Sequence, residues 1–260
     1  TESQLLSLHE GFRRLKIDDK DNQALPSLTL ENYFAYKDKK NAEKIFREKR
    51  LLHFKKLFEE FPKYSNFIDI AYYYAPFMSV IPKFLNNSRV LFIHRNGIDF
   101  VRSVITNINP DPFPVGWLDD DRILNKQERY VTLGRLRPKY DVALEEEWRS
   151  YSLIKKNAWL WSETNNLILE GLKKWEKNKI MILKFHDFIE NPLFYYKKIR
   201  KFFNIKNEIS PDIKKKVFDI MNIRDKKIIP EYKFWNKSMR EDFFSVAGNL
   251  MKKLGYNDFK

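Results

Sequence analysis

Arg95 and Ser103 stand eight residues apart in the string HRNGIDFVRS, and the two side chains suit one task, the gripping of an oxyanion. A guanidinium is a forked, permanently charged donor, and a hydroxyl adds a neutral donor that rotates to suit its ligand. The elements that must position them are legible on either side. Val90 to Ile93 is a short unbroken apolar run with two β-branched residues, the composition of a strand buried on both faces, and it stops at His94-Arg95-Asn96-Gly97. From Ile98 the apolar residues recur at Val101, Ile105 and Ile108, with Phe100 and Val104 beside them, which is helical spacing. Residues 89–108 therefore read as strand, turn and helix. The unpaired N–H groups and partial positive charge of the helix start face whatever sits in the turn, and the expected guest is an anion. On residues alone the same turn also reads as a plain strand-to-helix corner whose Arg caps or pairs.

HRNGIDFVRS resembles the 3′-phosphate-binding motif of the sulfotransferase superfamily, in which a strand ends in Arg and a Ser follows eight positions later. Arg95 and Ser103 match it in type and spacing, and Gly97 stands where the family usually has Pro. Other partial motifs follow in the family's order. WLWSETNNLILEGL is similar to its Trp- and Asn-containing helix. KFHDFIE with Glu190-Asn191-Pro192 resembles its strand ending in Arg/Lys-Tyr-Glu-Asp-Leu, with Phe185 in the Tyr position and His186 in that of Glu. IRKFFNI resembles a later helix, and KFWNKSMREDFFSVAGNLMKKLGY resembles the C-terminal basic-x-Trp and Leu-Gly-Tyr segment.

The resemblance implies an α/β fold with a central parallel sheet flanked by helices, the three-layer, P-loop-like sulfotransferase architecture. It implies transfer of a sulfuryl group from 3′-phosphoadenosine 5′-phosphosulfate to a hydroxyl or amine of a glycan, small molecule or protein, leaving 3′-phosphoadenosine 5′-phosphate. Arg95 and Ser103 would bind the donor's 3′-phosphate, and Lys233, Trp235 and Lys237 lie where the family's C-terminal loop closes over the nucleotide. By position it nominates His9, Glu31 and Asp69 for acid–base work; no metal is implied. Where the family carries an acidic-Lys-Thr-Pro-like strand end, this chain has Asp69-Ile70-Ala71-Tyr72. Two alternatives stay open: a nucleotide or sugar kinase of similar architecture, which needs a Gly-Lys-Thr/Ser loop, and a non-catalytic relative that holds nucleic acid or anionic glycan.

The 260 residues suffice for one sizeable core, and a single domain with residues 109–149 as an irregular, acceptor-facing insertion is the expectation. With 22 Phe, 13 Tyr and 6 Trp, burial can stabilise a fold despite the many charges. The absence of cysteine excludes disulfides, thiol nucleophiles and Cys-ligated metal. A net charge of +14 suits an anionic partner, but the lysines are scattered as on solvated helix faces, and nucleic acid is not the expected partner. No run approaches the ~20 apolar residues of a membrane span. A cytoplasmic protein is expected, and a Golgi or secreted domain lacking its leader would share this composition.

Along the chain, TESQLLSLHEG reads as the opening of an amphipathic helix, like the one that follows the family's phosphosulfate loop. The glycines, at 11, 97, 116, 134, 171, 248 and 255, cannot build a Gly-rich phosphate cradle, so the residues shown are expected to begin just after such a loop. Gly11 to Lys40 reads as polar and irregular, with Pro26-Ser27 as a turn or N-cap signal. Residues 41–61 read as a helix, 66–70 as a strand, 78–85 and 145–175 as helices, 179–188 as a buried strand and 193–205 as an amphipathic helix.

Overall fold

The computed structural model describes residues 5–9, 24–64, 66–105, 107–108, 113–114, 136–138, 141–206 and 229–257, with backbone alone at 5–9, 24–30, 107–108 and 113–114. Most of the expected 109–149 insertion thus lies outside the described residues. The described residues fall into two compact units, one drawn from 1–88, 118–137 and 167–175, the other from 89–117, 138–166 and 176–260.

In the first unit, strand β1 (Leu5–His9) pairs in parallel with β2 (Asn66–Ile70), from Leu5 opposite Asn66 to His9 opposite Ile70. This corrects the helical reading of LLSLH. Five residues carry too little periodicity to separate helix from strand, and a partner about sixty positions away decides it. Between the strands run α1 (Ala24–Lys37), α2 (Lys39–Ile45) and α3 (Leu51–Glu60). Helix α1 corrects the irregular reading of 11–40 at residues 24–37, while 11–23 lie outside the described residues; Pro26 sits in its first turn, where a missing N–H costs nothing. Asp38 caps α2, its carboxylate accepting from the Lys40 N–H at 2.9 Å.

Phe46–Arg50 joins α2 to α3 as one π-type turn, the Leu51 N–H donating to the Phe46 carbonyl. Phe46 and Arg50 both point inward. The Phe46 ring lies 6.2, 6.0 and 5.8 Å from those of Phe54, Phe77 and Phe84, and this aromatic knot is the unit's core. After a 3₁₀ turn at Tyr72–Phe77 comes the short α4 (Ile81–Phe84), so the helix read over 78–85 begins later than expected, with Pro82 in its first turn, where a missing N–H costs nothing.

In the second unit, β3 (Val90–His94) is followed after two residues by α5 (Gly97–Val104). The helix stops before Ile108 because Asn107–Ile108 (β4) pairs antiparallel with Phe113–Pro114 (β5). The helix read over 145–175 is two: α6 (Val142–Arg149) and α7 (Leu153–Leu172). Ser152 breaks them apart, its hydroxyl accepting from the Lys155 N–H at 3.2 Å, as an N-cap does. The first part of α7 belongs to this unit and residues 167–172 to the other.

Strand β6 (Ile180–Lys184) pairs in parallel with β3, and the chain turns at once into α8 (Phe185–Glu190) rather than continuing as strand to 188. Then come α9 (Pro192–Phe202) and α10 (Lys237–Lys253), which buries Phe243, Ala247, Leu250 and Met251. Helix α10 ends at Gly255, whose φ of +75° only glycine adopts freely, and the Tyr256 N–H donates back to the Met251 carbonyl at 2.9 Å.

The architecture is helix-rich α/β with parallel strand pairing. Among the described residues the expected central sheet is replaced by two-stranded parallel pairs, β1 with β2 and β3 with β6. The shared sheet was an implication of the family resemblance. The burial expected of Val90–Ile93 on both faces and of 179–188 holds only in part: Phe92, Met181 and Leu183 are buried, whereas Ile93 is 43% and Ile182 47% exposed, because an unbroken apolar run specifies a strand but not what covers each face.

Candidate functional site

His94 and Lys184 are opposite each other as the last register pair of β3 and β6. Both chains then leave the sheet on the same side, Arg95 into the turn before α5 and Phe185 into α8. The outer rim of parallel strand ends, where helices begin, is the ordinary position of a ligand site in α/β folds. The Arg95 guanidinium lies over the Phe185 ring, 5.4 Å from its centroid, which fixes the charge at that rim.

The turn is held from several sides. The Trp161 indole N–H donates to the Arg95 carbonyl at 3.0 Å, and the Gly97 N–H donates to Met251 Sδ at 3.3 Å. A Cβ on Gly97 would lie 3.0 Å from both Phe243 Cζ and Trp161 Cδ2. This accounts for Gly in the place of the family's Pro: a ring has no room and would remove the N–H that Met251 receives.

The helix start differs from the expectation of open backbone donors. Asn96 caps α5, its side-chain oxygen accepting from the Ile98 N–H at 2.8 Å, and Asp99 sits in the first turn against the helix dipole. With the amides of 97 and 98 engaged, an anion at this turn must be held chiefly by side chains. Arg95 and Ser103 are both half-buried and supply such groups.

Behind Arg95, the buried His94 is closed over by the turn that follows α10. The Tyr256 hydroxyl lies 2.9 Å from His94 Nδ1 and donates to the His94 carbonyl at 3.1 Å. The phenol has one proton, so both contacts are hydrogen bonds at once only in the tautomer whose Nδ1–H donates to the phenol oxygen, with the lone pair on Nε2. Lys184 Nζ donates to the Gly255 carbonyl at 3.0 Å and stands over the Tyr256 ring. Burial, and then the Lys184 charge, push the His94 imidazole below its usual range, with Asp187 opposing. Burial first, then Asp187 and Asp99, raise the Tyr256 phenol, while Arg95 opposes. Both groups are therefore neutral between charged neighbours.

The other nominated residues fall elsewhere. Lys233 pairs with Glu231 at 2.9 Å and Lys237 with Glu241 at 3.7 Å, both on exposed surface. Trp235 is a core residue, its indole N–H donating to the Pro230 carbonyl at 3.0 Å and its ring 5.7 Å from that of Phe243. Phe243 in turn packs on Gly97, so Trp235 supports the Arg95 turn through one intervening ring.

In the first unit, His9 ends β1 opposite Ile70, and Asp69 stands opposite Leu8, so the two candidates are one register step apart on alternate faces of the strand pair. The Asp69 carboxylate accepts from the Tyr74 hydroxyl, and burial plus that carboxylate hold the phenol well above its usual range. Glu31 is buried on α1 between two cations, 2.8 Å from Arg50 and 2.7 Å from Lys49. That arrangement makes it a structural counter-ion for Arg50, whose own pKa burial pulls down. His186 is exposed and pairs with Glu190 at 2.9 Å.

Sequence reasoning missed Lys184, Tyr256 and the His94 side chain as parts of this rim. Leu-Gly-Tyr at the tail was the available signal, but nothing local says that it folds back on residue 94.

No family model and no curated protein matches the chain. Among solved structures it is similar to a sulfotransferase domain from the curacin biosynthetic pathway, at 12% identity and a TM-score of 0.45, over 78% of this chain and 67% of that one. That degree of likeness assigns no family.

Proposed function

We propose that the protein is a sulfotransferase that takes a sulfuryl group from 3′-phosphoadenosine 5′-phosphosulfate and passes it to an acceptor hydroxyl or amine. The observation that carries this reading is the placement of Arg95 on the rim of the parallel pair β3 and β6, at the head of the helix that bears Ser103 eight residues on. The chemistry fits the donor's 3′-phosphate. A forked cation stiffened by Phe185 and a hydroxyl on the next helix can share its oxygens, and Lys184 adds a second cation at the same rim.

The donor supplies an activated sulfur–oxygen bond. That bond breaks as the acceptor oxygen or nitrogen bonds to sulfur, its proton passes to a protein base, and 3′-phosphoadenosine 5′-phosphate leaves. Of the three acid–base candidates the family resemblance nominates, Glu31 is the poorest base, because Arg50 and Lys49 hold its carboxylate in ion pairs.

Calorimetric titration with 3′-phosphoadenosine 5′-phosphate tests the reading. Micromolar binding is expected, weakened by about 2 kcal/mol or more in Arg95→Ala and by less in Ser103→Ala. Tighter binding of ATP, or an Arg95→Ala variant that binds as the parent does, overturns it.

A further inference from the structure

Around α9 the chain carries no acidic residue from Asn191 to Asn207, yet it holds Lys197, Lys198, Arg200, Lys201 and Lys206. Four of these cations, Lys197, Arg200, Lys201 and Lys206, line an open surface groove of about 320 Å³ together with Asn204 and Ile205. Lys197, Arg200 and Lys201 follow i, i+3, i+4 spacing, which puts like charges side by side on one helix face, where they repel.

Elsewhere surface lysines sit against carboxylates, as Lys83 does with Glu43 at 2.7 Å and Lys179 with Glu176 at 2.6 Å. The four lining cations make no such pair among the described residues. Nor are they needed as helix caps. The α9 carbonyls of Ile199, Lys201 and Arg200 already accept from the backbone N–H groups of Phe203, Asn204 and Ile205 at 3.0, 3.1 and 2.8 Å. Asn204, at φ 57°, makes that closure possible. Arg89 brings one more guanidinium to the same helix end by donating to the Phe202 carbonyl.

We propose that this groove binds a compact, non-aromatic oligoanion, a small ring or short chain carrying several phosphate or sulfate ester groups. The site uses none of the residues of the Arg95 turn and does not depend on the donor assignment. Among the described residues its lining has no aromatic ring on which a base could stack, which argues against single-stranded nucleic acid. Among the described residues Ile205 is the only apolar one in the lining, and it is half-buried.

The probes are inositol hexakisphosphate and sucrose octasulfate, titrated calorimetrically at about 0.15 M salt. Binding of at least one is expected, about tenfold weaker in Lys197→Gln/Lys201→Gln and restored in Lys197→Arg/Lys201→Arg. The control Lys55→Gln/Lys56→Gln, on exposed α3 positions, removes equal charge and leaves binding unchanged. Which probe wins separates a phosphate from a sulfate ligand. Equal losses in both Gln pairs, no binding of either probe, or equally tight binding of an oligothymidylate overturns the proposal. Titration of the Lys197→Gln/Lys201→Gln variant with 3′-phosphoadenosine 5′-phosphate is expected to match the parent.

Discussion

The Tyr256 hydroxyl and His94 form a closed two-bond pair, one bond to the His94 carbonyl at 3.1 Å and one with its Nδ1 at 2.9 Å. The turn after α10 thereby holds the end of β3, the residue before Arg95. Removing the hydroxyl by Tyr256→Phe leaves a buried carbonyl and a buried ring nitrogen without it. Chemical denaturation should show a loss of about 1–3 kcal/mol, and ¹⁵N shifts of the His94 ring should report a change of tautomer. A variant as stable as the parent, with the ring signals unmoved, contradicts the pairing.

His94 also sets a pH dependence. Its pKa in the folded state lies below the usual 6.5, through burial and the Lys184 charge. Near and below pH 6.5 the unfolded chain therefore binds more protons at this residue than the folded one. The contribution is complete above the unfolded value and is lost as pH falls through 6.5 toward the folded pKa, after which it changes no further. Denaturation midpoints from pH 8 down to 5 should fall more steeply for the parent than for His94→Asn; parallel curves would remove His94 as the cause.

Gly97→Ala probes the packing of the Arg95 turn. The new Cβ would lie 3.0 Å from Phe243 Cζ and from Trp161 Cδ2, so two buried rings must shift. A cost of about 1–3 kcal/mol is expected, with a drop in affinity for 3′-phosphoadenosine 5′-phosphate beyond what the stability loss explains. Gly248→Ala, whose nearest neighbour would be the Phe244 side chain at 3.3 Å on the same helix, serves as the milder comparison.

Glu31 distinguishes a counter-ion from a catalyst. Glu31→Gln strands the buried Arg50 and should cost about 3–5 kcal/mol, whereas Glu31→Gln with Arg50→Met should recover much of it. Turnover per folded molecule should be unchanged in the double variant. A turnover loss of about a hundredfold in that stable background would return Glu31 to the catalytic list.

How far the sequence reaches can be judged residue by residue. The run Val90–Ile93, its stop at Asn96-Gly97 and the spacing from Ile98 were enough to write β3, the turn and α5, because the signals lie within a few residues of one another. Gly255 as the stop of α10 was legible for the same reason.

Other features required the folded chain. LLSLH became a strand only beside NFIDI, Glu31 became a counter-ion only beside Arg50, and the amides heading α5 were spent on Asn96 and on Met251, 154 residues away. Local sequence determined where the chain bends and which faces are apolar, since propensity and periodicity act over a turn or two. Tertiary packing decided which polar atoms remain available for chemistry, because hydrogen-bond and ion-pair partners are chosen by burial among residues the sequence keeps far apart.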